Sequence, residues 1–211
     1  MSCCPSDQKF DGSSVAYRRA LWAVIFINLV MFVVEISAGF ASGSQSLKAD
    51  ALDFAGDTMT YTISLLVIGS ALAVRAKAAL FKGGLLFAIA IAVLSMTLLR
   101  AFSGEPPVAE TMGIVGFAAL LANAISVLIL LKWRDGDANV RSVWLCSRND
   151  AIGNVGVMIA GGLVALTGSA WPDLILAFVL AGIFTRSAWS ICSQALSELR
   201  DHSSTANPGE A

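Results

Sequence analysis

The stretch Asp53-Phe-Ala-Gly-Asp57 lies inside one apolar run, and Cys146-Ser-Arg-Asn-Asp150 is its counterpart inside another. In each, two side chains able to bind a metal stand at i and i+4. On a helix that spacing puts both on one face, with Cβ atoms about 5–6 Å apart. Ionisable groups in a bilayer are costly; they face protein or water and mark ion paths. Two such pairs turned towards each other form a four-ligand cation site. The pattern therefore asks for a fold in which two membrane helices meet face to face.

The rest of the chain agrees. Of its 211 residues, 56% are hydrophobic and 14% charged, against about 25% charged in soluble domains. The apolar excess is gathered into six runs, at 19–40, 47–73, 80–101, 110–132, 142–168 and 172–196. Each is close to the ~20 residues that a bilayer crossing takes. The expectation is an all-α membrane protein with six transmembrane helices over 19–199. Residues 1–18 are then a short N-terminal segment and 200–211 a short tail with no soluble C-terminal domain. The first run follows Arg18 and Arg19, holds Asn28 and Glu35, and lacks a small-residue cleavage site. It reads as a retained helix and not as a signal peptide. A net charge of −1 and no basic patch give no sign of nucleic-acid binding, and Cys3, Cys4, Cys146 and Cys192 are too scattered for a disulfide framework.

Orientation follows from Lys and Arg in the connecting segments. Lys9, Arg18 and Arg19 precede the first run; Arg75, Lys77 and Lys82 fall around the junction of the second and third. Lys132, Arg134 and Arg141 fall between the fourth and fifth, and Arg200 follows the sixth. The other side offers mainly Lys48 and Arg100. Both termini are expected in the cytoplasm. Polar membrane residues are concentrated in runs one, two, four and five: Asn28, Glu35, Asp50, Asp53, Asp57, Asn123, Cys146, Asn149, Asp150 and Asn154. That partition predicts a polar four-helix bundle of those runs, with runs three and six beside it.

Asp50, Asp53 and Asp57 form one helical stripe, Cys146, Asp150 and Asn154 another, and Asn28 with Glu35 a third. Asp53, Asp57, Cys146 and Asp150 are the candidate ligands. Four oxygen and sulfur ligands suit tetrahedral Zn2+. A thiolate disfavours Mg2+ and Ca2+ and also suits Cd2+. Three carboxylates and a thiolate crowded together cannot all be ionised in an empty site; some hold protons until metal displaces them. That is a physical basis for exchanging metal against protons. The bland alternative, acids that merely hydrogen-bond neighbouring helices, suits a single Asp better than two matched pairs.

Glu35, Asp50, Asn28 and Asn154 are candidate proton or path residues. Glu35 is equally readable as a pin between helices, and Asp50 as a structural or exit-path residue. Arg148 either snorkels to the interface or pairs with a site acid. Cys3 and Cys4 are readable as a soft-metal trap or as an inert terminal pair.

Ser42-Gly-Ser-Gln-Ser-Leu-Lys-Ala-Asp-Ala-Leu-Asp-Phe-Ala-Gly-Asp57 resembles the second-helix signature of the cation diffusion facilitator family. Asp135-Gly-Asp-Ala-Asn-Val-Arg-Ser-Val-Trp-Leu-Cys-Ser-Arg-Asn-Asp-Ala-Ile-Gly-Asn154 resembles that family's entry into its fifth helix. Asn28, Glu35 and Asn123 match its other polar positions. The likeness covers roughly residues 17 to 200. It implies divalent metal/proton antiport out of the cytoplasm, metal coordination by Asp53, Asp57 and Asp150, and alternating access with helices three and six rocking against the other four. The family commonly has His where this chain has Cys146, which shifts the expected preference towards Cd2+. It also usually appends a cytoplasmic ferredoxin-like domain, whereas this sequence ends soon after the sixth run. The expectation is a truncated form whose homodimer forms through the membrane region.

The primary expectation is thus not an enzyme. It is a Zn2+ and Cd2+ efflux transporter of a bacterial inner membrane, with no permanently bound cofactor and with H+ as counter-ion. The alternative is a membrane metal-binding scaffold or sensor that transports nothing.

Overall fold

The computed structural model describes residues 14–67, 70, 72–102, 105–135 and 138–206. Cys3 and Cys4 lie outside the described residues, as do the side chains of Cys146, Asn149 and His202. Among the described residues six α-helices follow one another: α1 (Val15–Ser42), α2 (Gln45–Leu66), α3 (Leu72–Ala101), α4 (Ala109–Leu130), α5 (Ala138–Thr167) and α6 (Trp171–Ala206). A 3-10 turn, Leu131–Trp133, follows α4. The described residues contain no strand.

Local chemistry sets the helix ends. Ser14 caps α1 by accepting from the Tyr17 amide at 3.2 Å, and Ser44 caps α2 by accepting from Leu47 N at 3.1 Å. Between them Gly43 takes φ +74°, the left-handed conformation that glycine adopts freely. A side chain there would also meet Arg100 Nη2 at 2.7 Å. The amide of Val108 reaches the Ser42 carbonyl at 3.0 Å, which ties the start of α4 to the end of α1.

The second apolar run does not continue to residue 73 as the hydropathy suggests. Helix α2 ends at Leu66, where the Val67 amide bonds the Ile63 carbonyl at 3.1 Å, and residues 72 and 73 already belong to α3. Gly69 and Ser70 follow in sequence, and a run of hydropathy does not register such a break. Helix α6 likewise runs past 196 to Ala206.

Five of the helices carry stretches long and apolar enough to cross a membrane. The remaining one, α2, has 22 residues, enough for about 33 Å at 1.5 Å per residue. It carries Lys48, Asp50, Asp53 and Asp57 in the place of apolar residues. Large apolar side chains such as Trp22, Phe26, Phe117, Leu121, Leu128, Ile159 and Leu166 point away from the protein. Such a surface is at odds with water and matches lipid chains.

Helix α3 packs most extensively on α6, α4 on α5, and α1 on α2, with α1 also against α4. The expected partition holds: α1, α2, α4 and α5 form a bundle, and the α3/α6 pair lies beside it, touching α2 and α5. The bundle is filled in layers. One end packs Tyr17, Leu21, Tyr61, Leu65, Leu130 and Val143. The other packs Leu47, Met112, Val157, Ala160 and Val164. Between them Met31, Phe54, Ala119 and Ala122 join α1, α2 and α4. A fourth cluster, including Ala49, Ile89, Ala90, Leu180 and Ala181, seals α2 against α3 and α6.

Candidate metal site between α2 and α5

The middle apolar layer draws on α1, α2 and α4; at that level α2 and α5 meet through acids. Asp53 and Asp57, one turn apart on α2, are both half-buried, as is Asp150 on α5. The Asp150 carboxyl stands within hydrogen-bonding reach of both Asp53 and Asp57. Helix periodicity aligns the two acids of α2, and the packing of α2 on α5 delivers the third. Contact between carboxyls is favourable only with a proton or another cation between them.

The carboxyls meet in pairs. Among the described residues, no three acidic, cysteine or histidine side chains are already set around one point as metal ligands would be. Cys146 lies one helical turn before Asp150, on the same helix, but its side chain is outside the described residues.

Asp57 has two neighbours that the sequence reading passed over. The hydroxyl of Tyr61, one turn further along α2, donates to Asp57 Oδ2. It also lies 3.5 Å from the Val143 carbonyl of α5. Lys82 of α3 brings a positive charge near Asp57, and its ammonium donates to Ser64 Oγ at 2.7 Å. The i, i+4 spacing of Asp57 and Tyr61 was a usable signal. Nothing local marks Lys82, because its approach depends on how α3 leans on α2.

The other polar residues fall into place unevenly. Asp50 is buried and faces Glu35 of α1, which is fully buried. Among the described residues, both Glu35 oxygens and Asp50 Oδ2 lack a hydrogen bond of ordinary geometry. Asn28 donates from Nδ2 to the Val24 carbonyl at 3.1 Å, so part of its capacity is spent within its own helix. Asn123 and Asn154 are buried, and among the described residues neither side chain finds a hydrogen-bond partner, a costly state and one that suits a lining for hydrated ions. Arg148 is exposed and lies 5.5 Å from the centre of the Trp144 ring, as a snorkelling interfacial Arg would.

Asp150 of α5 thus faces Asp53 and Asp57 of α2 inside a six-helix membrane bundle. The sequence model of the cation efflux transmembrane domain matches residues 21–200. This chain belongs to the cation efflux family and is an integral, multi-pass membrane protein. Over 195 residues it is 30% identical to the zinc transporter ZitB of Yersinia pestis, covering 86% of this chain and 62% of that protein. The metal cation efflux system protein CzcD of Cupriavidus metallidurans is 28% identical over 196 residues, with 86% and 61% covered. A cadmium, cobalt and zinc/H(+)-K(+) antiporter of Bacillus subtilis is 25% identical over 196 residues, with 82% and 61% covered. The chain thus spans a little over 60% of the length of these relatives.

Proposed function

We propose that this chain carries Zn2+ and Cd2+ out of the cytoplasm of a bacterium in exchange for protons. The observation that carries the reading is the meeting of Asp53, Asp57 and Asp150 across the α2–α5 interface. Asp53, Asp57, Asp150 and Cys146 supply the ligands. Crowded carboxyls in a low-dielectric bundle need a compensating cation, and metal and protons compete for that role. Each metal that enters expels protons, and each proton that returns helps to release the metal.

Similarity to a zinc transporter and to a cadmium, cobalt and zinc antiporter supports a zinc and cadmium cargo. Tyr61 orients Asp57, and Lys82 supplies partial charge compensation when metal is absent. The α3/α6 pair moves against the other four helices to expose the site alternately to each side, with both termini in the cytoplasm. Two copies associate through their membrane surfaces.

The test is flux in proteoliposomes loaded with a zinc-sensitive dye. Asp57→Ala and Asp150→Ala each lower the rate by about 100-fold or more, since even outer-shell partners of a metal are worth 10–100-fold. Lowering the pH on the metal side weakens uptake, because protons compete for the same carboxylates. Wild-type rates in both variants would sink the assignment. Stoichiometric metal binding with no flux would favour a scaffold or sensor instead.

A further inference from the structure

One acid in this protein is held quite differently. Asp173, in the first turn of α6, is 1% exposed. Its carboxylate accepts from Ser44 Oγ at 2.6 Å, Gln45 N at 2.7 Å, Ser46 N at 3.0 Å and Ser46 Oγ at 2.6 Å. The donors are the cap and first two residues of α2, so a side chain of α6 closes the N-terminus of another helix. Two amides and two hydroxyls at the positive end of a helix, all donating to one carboxylate, make a strong junction. The junction matters because of what it joins: α6 belongs to the outlying α3/α6 pair, and α2 carries Asp53 and Asp57. Directly below it, Ala49 is fully buried in the α2–α3–α6 seam.

We propose that Asp173 is a positioning residue that latches α2 to the α3/α6 pair at the outer end of the metal pathway. The pathway opens on that side when Ser44, Gln45 and Ser46 leave its carboxylate. In the proposed rocking motion these hydrogen bonds add a polar tie to the apolar packing of Ala49 and Leu176 at that end, and breaking them lets the two bodies separate around the site. This rests on the proposed orientation, in which the α1–α2 junction lies outside the cytoplasm.

The experiment reads the seam, not the metal. Ala49→Cys in full-length protein in proteoliposomes is labelled with a membrane-impermeant maleimide, added to either face separately. Mass spectrometry of the reporter peptide gives the rate. Asp173→Asn, and separately Ser44→Ala with Ser46→Ala, raises labelling from the outer face by about tenfold, the scale of one hydrogen bond to a charged group. Asp173→Glu, which restores a carboxylate, brings the rate part of the way back. A second reporter, Ala122→Cys in the α1–α2–α4 layer, keeps its rate in every variant. Unchanged Ala49→Cys labelling in both latch variants overturns the latch, as does an equal rise at Ala122→Cys, which would mean general loosening. A rise seen only from the opposite face keeps the junction but overturns the orientation, and with it the assignment of an outer gate.

Discussion

The two ends of the acid inventory on and around α2 differ in how they are satisfied. Asp173 at the helix N-terminus has four donors on its two oxygens. About two and three turns further down, Asp53 and Asp57 face another acid, Asp150, and remain half-buried. The same residue type accepts a full set of donors in one place and faces other acids in the other, where we propose that metal binds. An Asp inside a membrane protein therefore signals function only after its donors have been counted. Full satisfaction fixes geometry; carboxyls left facing each other keep room for a cation.

The sharpest way to break this contrast is to remove one acid of each kind and read both transport and stability. Asp150→Ala abolishes zinc flux in proteoliposomes while leaving the detergent melting temperature unchanged or higher, because it relieves crowded carboxyls. Asp173→Ala strands four donors and lowers unfolding stability by about 2–4 kcal/mol, as caps and buried unpaired donors would predict. If Asp150→Ala proved the more destabilising of the two, the distinction between cap and site would fail.

A smaller effect belongs to Tyr61. Tyr61→Phe keeps the ring in its apolar cluster and deletes the bond to Asp57. Flux at low Zn2+ falls about tenfold, through apparent affinity more than maximal rate, as for an outer-shell partner. An unaltered zinc titration would detach Tyr61 from the site.

Lys82→Gln acts in the opposite direction. It removes a positive charge near Asp57 and can still bond Ser64. Apparent Zn2+ affinity rises by about threefold, a gain that shrinks as salt is added. A loss of affinity would show that Lys82 organises Asp57 instead of competing with the metal. The subtlest prediction concerns selectivity: Cys146→His moves the ranking of Cd2+ and Zn2+ towards Zn2+, with total flux little changed, because imidazole is a harder ligand than thiolate. An unchanged ranking would take the sulfur out of the site.

Much of this was legible along the chain because it depends on local rules. Hydropathy located the helices, failing at residues 67–72, where α2 stops and α3 begins inside one apolar run. Periodicity aligned Asp53 with Asp57, and the uneven spread of polar residues separated the α1, α2, α4 and α5 bundle from the α3/α6 pair. Tyr61 was within reach of the same rule, at one turn from Asp57. Asp173 was not: its partners Ser44, Gln45 and Ser46 are more than 120 residues away in sequence.

What the sequence determined by itself is therefore the number of helices, the stripe on which each acid lies, and which helices must turn inward. These follow from the 1.5 Å rise and 3.6-residue turn of a helix and from the cost of polar groups in lipid. Tertiary structure alone decided which stripes meet. Asp150 went to Asp53 and Asp57, Glu35 to Asp50, and Asp173 to the cap of α2. The reason is that lipid is as apolar as leucine, so hydrophobicity cannot set the rotation of one membrane helix against another. Side-chain packing and hydrogen bonds between helices set it, and neither can be read from one helix at a time.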